Sequence, residues 1–179
     1  MKFEIQFNEQ VYNQQMTLNF NTAWNENLKK NKKMLFSAIP IILLGALIVY
    51  GNNSFGFLVI AFGFHYLLNV YNYYSFYKKS KNIFYELVKK EKIGQTEANE
   101  NSFWEFNEDY FRYKDYKYES KIKWEAFKGS RIIEKNLFLD LNIGNNSSYI
   151  LGETEIGREN FLNVTEFVKN KIGQNTTSE

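Results

Sequence analysis

Residues 29–81 read "KKNKKMLFSAIPIILLGALIVYGNNSFGFLVIAFGFHYLLNVYNYYSFYKKSK". Lysine clusters bracket two apolar runs, and only "GNNS" at 51–54 separates them. From Met34 through Tyr77 there is no Asp, Glu, Lys or Arg. A helix crossing the hydrocarbon core needs about 20 mostly apolar residues, with roughly 17 as a lower limit. Met34–Tyr50 is near that limit and Phe55–Tyr74 meets it. A soluble helix carries a polar face every three or four residues, whereas "IPIILLGALIVY" is apolar all round. A bilayer offers open backbone groups no partner, so the chain is expected to return as a second helix. The alternative, a helical hairpin buried in a soluble core, is disfavoured by the length of the runs.

The flanks set an orientation. Lys29, Lys30, Lys32 and Lys33 precede the first run, Lys78, Lys79 and Lys81 follow the second, and the turn has none. Positive charge at span ends stays cytoplasmic, so both termini are expected in the cytoplasm. Trp24, Tyr50, Phe55, Tyr71, Tyr73, Tyr74 and Tyr77 lie where an aromatic interface belt would. No cleaved signal peptide is expected. The apolar run starts only after Glu4, Glu9 and Glu26, and no small-residue cleavage site follows it.

Inside the spans, Pro40 removes a backbone donor, and Gly45 permits close helix approach without a GxxxG pattern. His65, Asn69 and Asn72 are spaced to share one helical face. They read either as a proton or ion path or as a hydrogen-bonded seam with the first helix through Ser37. The seam is preferred, because a relay normally includes a carboxylate and the hairpin holds none.

Outside the hairpin the period changes. "KFEIQF" alternates Phe3, Ile5 and Phe7 with polar residues, as a strand does, while 9–30 is ambiguous between strand and helix. "SKNIFYELVKKEKIG" extends the second helix, with Lys89, Lys90 and Lys92 at its negative end and Gly94 as its cap. These lysines either touch anionic headgroups or form a solvated helix end. "QTEANE" reads as a polar break. Then "SFWEFN", "YFRYKD", "KYESKIKW", "SRIIEK" and "LFLDLN" alternate with period two, with "NED", "KDY", "FKG" and "EKN" between them. "SSYIL" follows an "IGNN" turn. In "RENFLNVTEFVKNKI", Phe161, Val164, Val168 and Ile172 recur at helical spacing. A strand meander followed by one amphipathic helix is the outline of a pleckstrin-homology-like (PH-like) barrel.

From "FWEFNEDYFRYK" through "YESKIKWEAFKGSRIIEKNLFLDL" to "SYILGETEIGRENFLNVTEFV", with Trp124 after two alternating strands, the chain resembles the bacterial YcxB-like family. The resemblance covers nearly the whole chain. It implies a two-span membrane protein with a C-terminal PH-like domain in a bacterial inner membrane. The family commonly carries a proline-containing motif before its last helix, where this chain has "LGETEIGRENF". The family has no catalytic residues to carry over.

The chemistry on offer is narrow. There are no cysteines, which excludes disulfides and thiolate sites. The single histidine is His65, so the soluble part has no imidazole for a triad or a zinc cluster. No glycine-rich phosphate loop appears. Glu105, Glu108, Asp109, Glu119, Glu153, Glu155 and Glu159 form no distinctive pair. "YFRYKDYKYESKIKW" interleaves bases and aromatics, as single-strand nucleic-acid binders do. A half-buried strand gives the same pattern, and a net charge of +2 adds no wider basic surface, so nucleic acid is not an expected partner.

The resulting expectation is an α+β membrane protein without enzymatic activity or cofactor. Residues 1–33 form an N-terminal cytoplasmic segment, 34–77 a transmembrane hairpin, and 78–96 a juxtamembrane helix and linker. Residues 97–173 form a small PH-like β-barrel or sheet domain capped by a C-terminal helix, and 174–179 a flexible tail. Its role is a protein-binding or scaffold module at the membrane, with a protein partner of open identity. One alternative is a membrane immunity factor that neutralises a toxin. Another is a reader of anionic headgroups through Lys114, Lys117, Lys121 and Lys123. An enzyme with an unrecognised carboxylate site is the least favoured, and homo-oligomerisation stays open. The lysine flanks make the topology testable. A periplasmic reporter inserted at Gly51–Ser54 should be active and one fused at the C-terminus silent; the reverse pattern refutes the orientation.

Overall fold

The computed structural model describes residues 1–142 and 148–173. The expected turn at 143–146 and the tail at 174–179 lie outside the described residues. The element order is β1 (Lys2–Ile5), α1 (Glu9–Tyr50), α2 (Phe55–Ala98), β2 (Ser102–Phe106), β3 (Tyr110–Lys114), β4 (Glu119–Lys123), β5 (Phe127–Ile133), β6 (Asn136–Leu141), β7 (Ser148–Gly152), α3 (Glu153–Ile156) and α4 (Arg158–Gly173). This is an α+β architecture with two long N-terminal helices, two antiparallel sheets and a C-terminal helix. It divides into two compact units: Met1–Thr17 with Lys89–Glu179, and Leu18–Val88.

In the first unit, β1–β2–β3–β4 make one sheet and β5–β6–β7 the other. The sequence leaves open whether the N-terminus joins the strand-rich part. It does: Phe3 stands opposite Trp104 and Ile5 opposite Ser102 in an antiparallel ladder. Phe106 N–H and the Met1 carbonyl prolong that ladder at 2.8 Å. The β-domain expected over 97–173 therefore lacks one of its strands. "FKG", expected as a connection, opens β5 instead, with a bulge between Phe127 and Gly129. The connection is a 3-10 turn at Trp124–Ala126.

Alternation decides which side chains go inward. Trp104, Phe106, Phe111, Trp124, Phe127, Leu137, Leu139 and Leu151 join Ile5 in one core. Phe161, Val164, Val168 and Ile172, three or four residues apart on α4, close over it. Phe106, Phe111 and Leu139 are almost wholly buried, and such burial contributes about 1.5–3 kcal/mol per side chain. The Trp124 indole N–H donates to the Asn107 carbonyl at 3.0 Å, which satisfies its one polar atom.

The helix ends follow capping chemistry. Asn8 Oδ1 accepts the N–H groups of Gln10 (3.0 Å) and Val11 (3.1 Å) and starts α1. α2 does not stop at Gly94, and "QTEANE" is no break. The helix runs to Ala98 and ends where Asn99 takes φ 50°, the left-handed residue that closes many helices. Gly94 serves another purpose: a Cβ there would collide with the Tyr116 hydroxyl.

In the second unit, α1 passes unbroken through Pro40. Gly45 and Gly56 lie against each other, and a Cβ on Gly45 would sit 2.9 Å from the Gly56 carbonyl oxygen. Phe20 packs on Tyr77 and Phe84 with ring centroids 5.8 and 5.0 Å apart. Both helices are long and apolar enough to cross a membrane by length and composition, and only 11% of the most apolar stretch of each is buried.

The long-range ladder generates a stability prediction. Residues 1–7 joined by a short linker to residues 97–173 should unfold at a higher urea midpoint than 97–173 alone. The difference reflects burial of Ile5 and completion of the β2 ladder. Equal midpoints would show that β1 is dispensable.

Candidate functional site

In the first unit a cleft of about 290 Å³ opens between strand ends and the adjoining turns of α1 and α2. Its lining includes the rings of Tyr12, Trp104, Tyr113, Tyr116, Tyr118 and Tyr149 beside polar residues such as Gln6, Gln95 and Glu100. Tyr113 meets Trp104 edge-on at 5.0 Å and Tyr149 at 5.1 Å between centroids. Tyr118 adds a further ring 5.8 Å from Tyr113.

Carboxylates sit among the rings. Asp115 is 8% exposed and shapes the β3–β4 turn. Its Oδ1 accepts the N–H groups of Lys117 (2.8 Å) and Tyr118 (2.9 Å), and its Oδ2 accepts the Tyr113 hydroxyl at 3.2 Å, the local bonding that places Asp in turns. Glu155 reaches back to Gly152 N–H at 2.6 Å and accepts Gln15 Nε2 at 2.6 Å. Glu91 pairs with Lys117 at 2.9 Å.

These surroundings disfavour added negative charge. Burial, then Glu91 and Tyr116, pushes the Tyr12 phenol up to about 12. Burial and then Asp115 raises Tyr113, and burial followed by Tyr149 and Asp115 raises Tyr118. Burial also lifts the Glu155 carboxyl above its ordinary value, against the opposing bonds from Gly152 and Gln15. Among the described residues, no group of three or more His, Cys, Asp or Glu is placed to hold a metal.

The expected surface lysines separate. β3 and β4 pair Lys114 with Glu119, Arg112 with Lys121 and Tyr110 with Lys123. Lys114, Lys121 and Lys123 thus share the sheet face opposite the core. Acids interrupt that face: Arg112 bonds Glu119 at 2.7 Å, and Lys2 lies 3.3 Å from Glu105. Lys121 stands 3.9 Å above the Tyr110 ring. Lys117 leaves this group for the turn and its ion pair with Glu91.

The intrahelical residues also differ from expectation. His65, Asn69 and Asn72 share a face, but that face is exposed. Asn69 Nδ2 bonds His65 Nε2 at 3.0 Å within α2, and Ser37 donates to the Lys33 carbonyl at 3.1 Å within α1. Among the described residues, no hydrogen bond joins Ser37 to His65, Asn69 or Asn72; the Gly63 side of α2 meets α1, where Ile42 fills the space. A polar bond between the helices joins Asn31 Nδ2 to the Val70 carbonyl at 3.3 Å. Of the flanking lysines, Lys30, Lys32, Lys33, Lys78 and Lys79 border the apolar runs together with Lys29 and Lys81, and none of the seven is buried. Trp24 packs on Tyr73 and Tyr77 at 5.9 and 5.3 Å, so its ring joins the two helices.

Sequence reading passes over the cleft. "YFRYKDYKY" registers as bases among aromatics, but alternation turns Phe111 and Tyr113 inward and Arg112 and Lys114 outward. Gln15 and Glu155 lie far apart in sequence with no motif to join them.

Glu155 yields a pH prediction. A carboxyl raised in the folded state binds more protons folded than unfolded between its ordinary value of 4.5 and its raised value. Its contribution is complete below that window and declines as pH rises through it. Glu155→Gln should keep the acceptor and lose this decline. Its urea midpoint should therefore gain on that of the unsubstituted protein from pH 4 to pH 7. Glu155→Leu should cost about 1–3 kcal/mol by stranding Gly152 N–H and Gln15. Parallel pH profiles for the unsubstituted protein and the Glu155→Gln variant would refute the burial of charge.

The chain matches no protein-family model, no curated protein and no solved structure at significant similarity.

Proposed function

We propose that this is a non-enzymatic protein of the bacterial inner membrane, of YcxB-like type. Its helical hairpin anchors a PH-like module that recruits a protein partner at the cytoplasmic face, with both termini in the cytoplasm. One observation carries the anchor: Leu43, Leu47, Phe57, Leu58, Phe62 and Leu68 are all at least 60% exposed. Helices in the core of a soluble protein bury such side chains, and a bilayer is the solvent that accepts them. The lysine clusters are consistent with one orientation. Trp24 packs beside Tyr77, and Asn31 beside Val70, so both clusters lie at the same end of the helix pair, away from Gly51–Ser54. Sheets of four and three antiparallel strands followed by a helix support the PH-like reading.

The anionic-headgroup reading rests on the shared face of Lys114, Lys121 and Lys123. Headgroup attraction is worth about 1 kcal/mol per basic residue near the surface, and Glu119 and Glu105 on that face offset part of it. A protein partner is favoured, because this unit also holds a cleft of about 290 Å³ with aromatic rings in its lining.

The test replaces Met34–Tyr74 with an unrelated two-span hairpin of matched topology. If the hairpin only anchors, partner capture from native membranes and the cellular phenotype persist. Lost function at normal abundance, with the β-domain intact, would instead assign the activity to the hairpin, as an immunity factor acting in the bilayer requires.

A further inference from the structure

The outward side of α2 carries a polar stripe at a depth that makes it informative. Gly56 and Gly63 turn toward α1, where Val49 and Ile42 fill the space beside them. Successive helical residues advance by roughly 100°, so His65, Asn69 and Asn72 lie on the side of α2 opposite those glycines, and all three are exposed. Apolar side chains surround them: Leu58, Phe62, Leu68 and Phe76 are each at least 60% exposed. His65 stands midway between Phe55 and Tyr74, which on the anchor reading is near the middle of a hydrocarbon core about 30 Å thick. Asn72 is about two turns nearer the lysine-flanked end.

Hydrocarbon leaves this stripe short of partners. The Asn69 side-chain N–H donates to His65 Nε2 at 3.0 Å, which leaves Nδ1 of the neutral ring as an N–H donor. The Asn72 side chain makes no hydrogen bond among the described residues. α1 does not cover the stripe, because it packs on the glycine side and Ser37 donates to the Lys33 carbonyl. Water satisfies such groups at a soluble surface. In a bilayer, polar side chains turn instead to a protein neighbour or a cavity.

Three features choose the neighbour. Each asparagine amide is both donor and acceptor, so the stripe complements itself across a two-fold axis. Met34–Tyr77 holds no Asp, Glu, Lys or Arg, so the stripe has no fixed charge to select an oppositely charged helix. The lysine flanks give every copy the same orientation, which sets two stripes at equal depth and in parallel. From these features we infer that two copies of the chain pair in the bilayer through α2, with the His65–Asn69–Asn72 stripe of one against that of the other. Ala61, exposed one turn from His65, is small enough to let the two backbones approach there. The inference rests on the reading of the hairpin as a membrane anchor and adds a pairing role to it.

The test is disulfide crosslinking of the purified full chain in phosphatidylcholine vesicles at low protein density. The chain has no cysteine, so a single introduced thiol can link only to another copy. Leu58→Cys and Ala61→Cys place the thiol on the stripe side of α2. Leu43→Cys and Leu47→Cys place it on α1, on the side away from Gly45 and hence from α2. Under copper-phenanthroline oxidation the α2 thiols should give a covalent dimer and the α1 thiols should stay monomeric. Replacing His65, Asn69 and Asn72 together by Leu should reduce the dimer at position 61 about tenfold, the scale of several interhelical hydrogen bonds in a bilayer. If that variant fails to insert, Asn72→Leu alone should still reduce it. Equal crosslinking on both helices, no dimer from either α2 thiol, or a dimer indifferent to the leucine substitutions would each overturn the proposal. So would labelling of the thiol at position 61 by a membrane-impermeant maleimide, which would place water on the stripe and favour an ion or proton path. An alkaline carbonate wash of the vesicles reports the anchor separately. Retained protein without α2 crosslinks removes only the pairing, whereas protein released by the wash removes the anchor reading and the pairing with it.

Discussion

The fold depends on one ladder, the pairing of Lys2–Ile5 with Ser102–Phe106. The two strands are neighbours in space, yet α1 and α2 lie between them in the chain. Closing a flexible loop of that length would cost entropy that rises with the logarithm of its length. An antiparallel helix pair lowers the cost, because the helices return the chain on their own. Phe20 against Phe84 and Lys92 against Glu9 at 2.8 Å mark that return. In the chain, α1 and α2 thus stand as a long insertion between two paired strands.

That insertion also explains where the cleft forms. Once β1 is paired, the first turns of α1 and the last turns of α2 belong to the same unit as the sheets. Tyr12 and Gln15 come from one, Glu91 and Gln95 from the other, and the strand ends supply the remaining rings. A cleft built at such a junction has walls from distant parts of the chain. Its volume is therefore sensitive to the ladder that gathers them.

The electrostatics of the unit sort by depth. On the outer sheet face Arg112 bonds Glu119 at 2.7 Å and, with Lys2, flanks the buried Glu105, while Lys121 stands opposite Arg112; an exposed pair such as Arg112–Glu119 contributes about 0–1 kcal/mol. In the cleft, neutral donors hold Asp115 and Glu155, and the tyrosine phenols there stay protonated well beyond neutral pH. Of the lysines that stand out in the sequence, Lys117 pairs with Glu91 at 2.9 Å, while Lys121 stands over the Tyr110 ring.

Local pattern was enough for much of this protein. The uninterrupted apolar runs, the two-residue period of β2, β3 and β6, and the Phe161–Val164–Val168–Ile172 stripe were all legible, because each is a periodicity within one element. The helix end at Asn99 was not, since Gly94 offers the commoner cap signal and only its contact with Tyr116 shows another use. The outward turn of His65, Asn69 and Asn72 was not legible either. A shared face says which residues lie together, while glycine packing at Gly45, Gly56 and Gly63 decides which face meets the neighbouring helix. By itself, then, the sequence determined the types of most elements, though not of residues 9–30, where neither period dominates. Tertiary structure decided the β1–β2 pairing and the cleft, because both depend on register and contact between segments far apart in the chain, which leave no period to read.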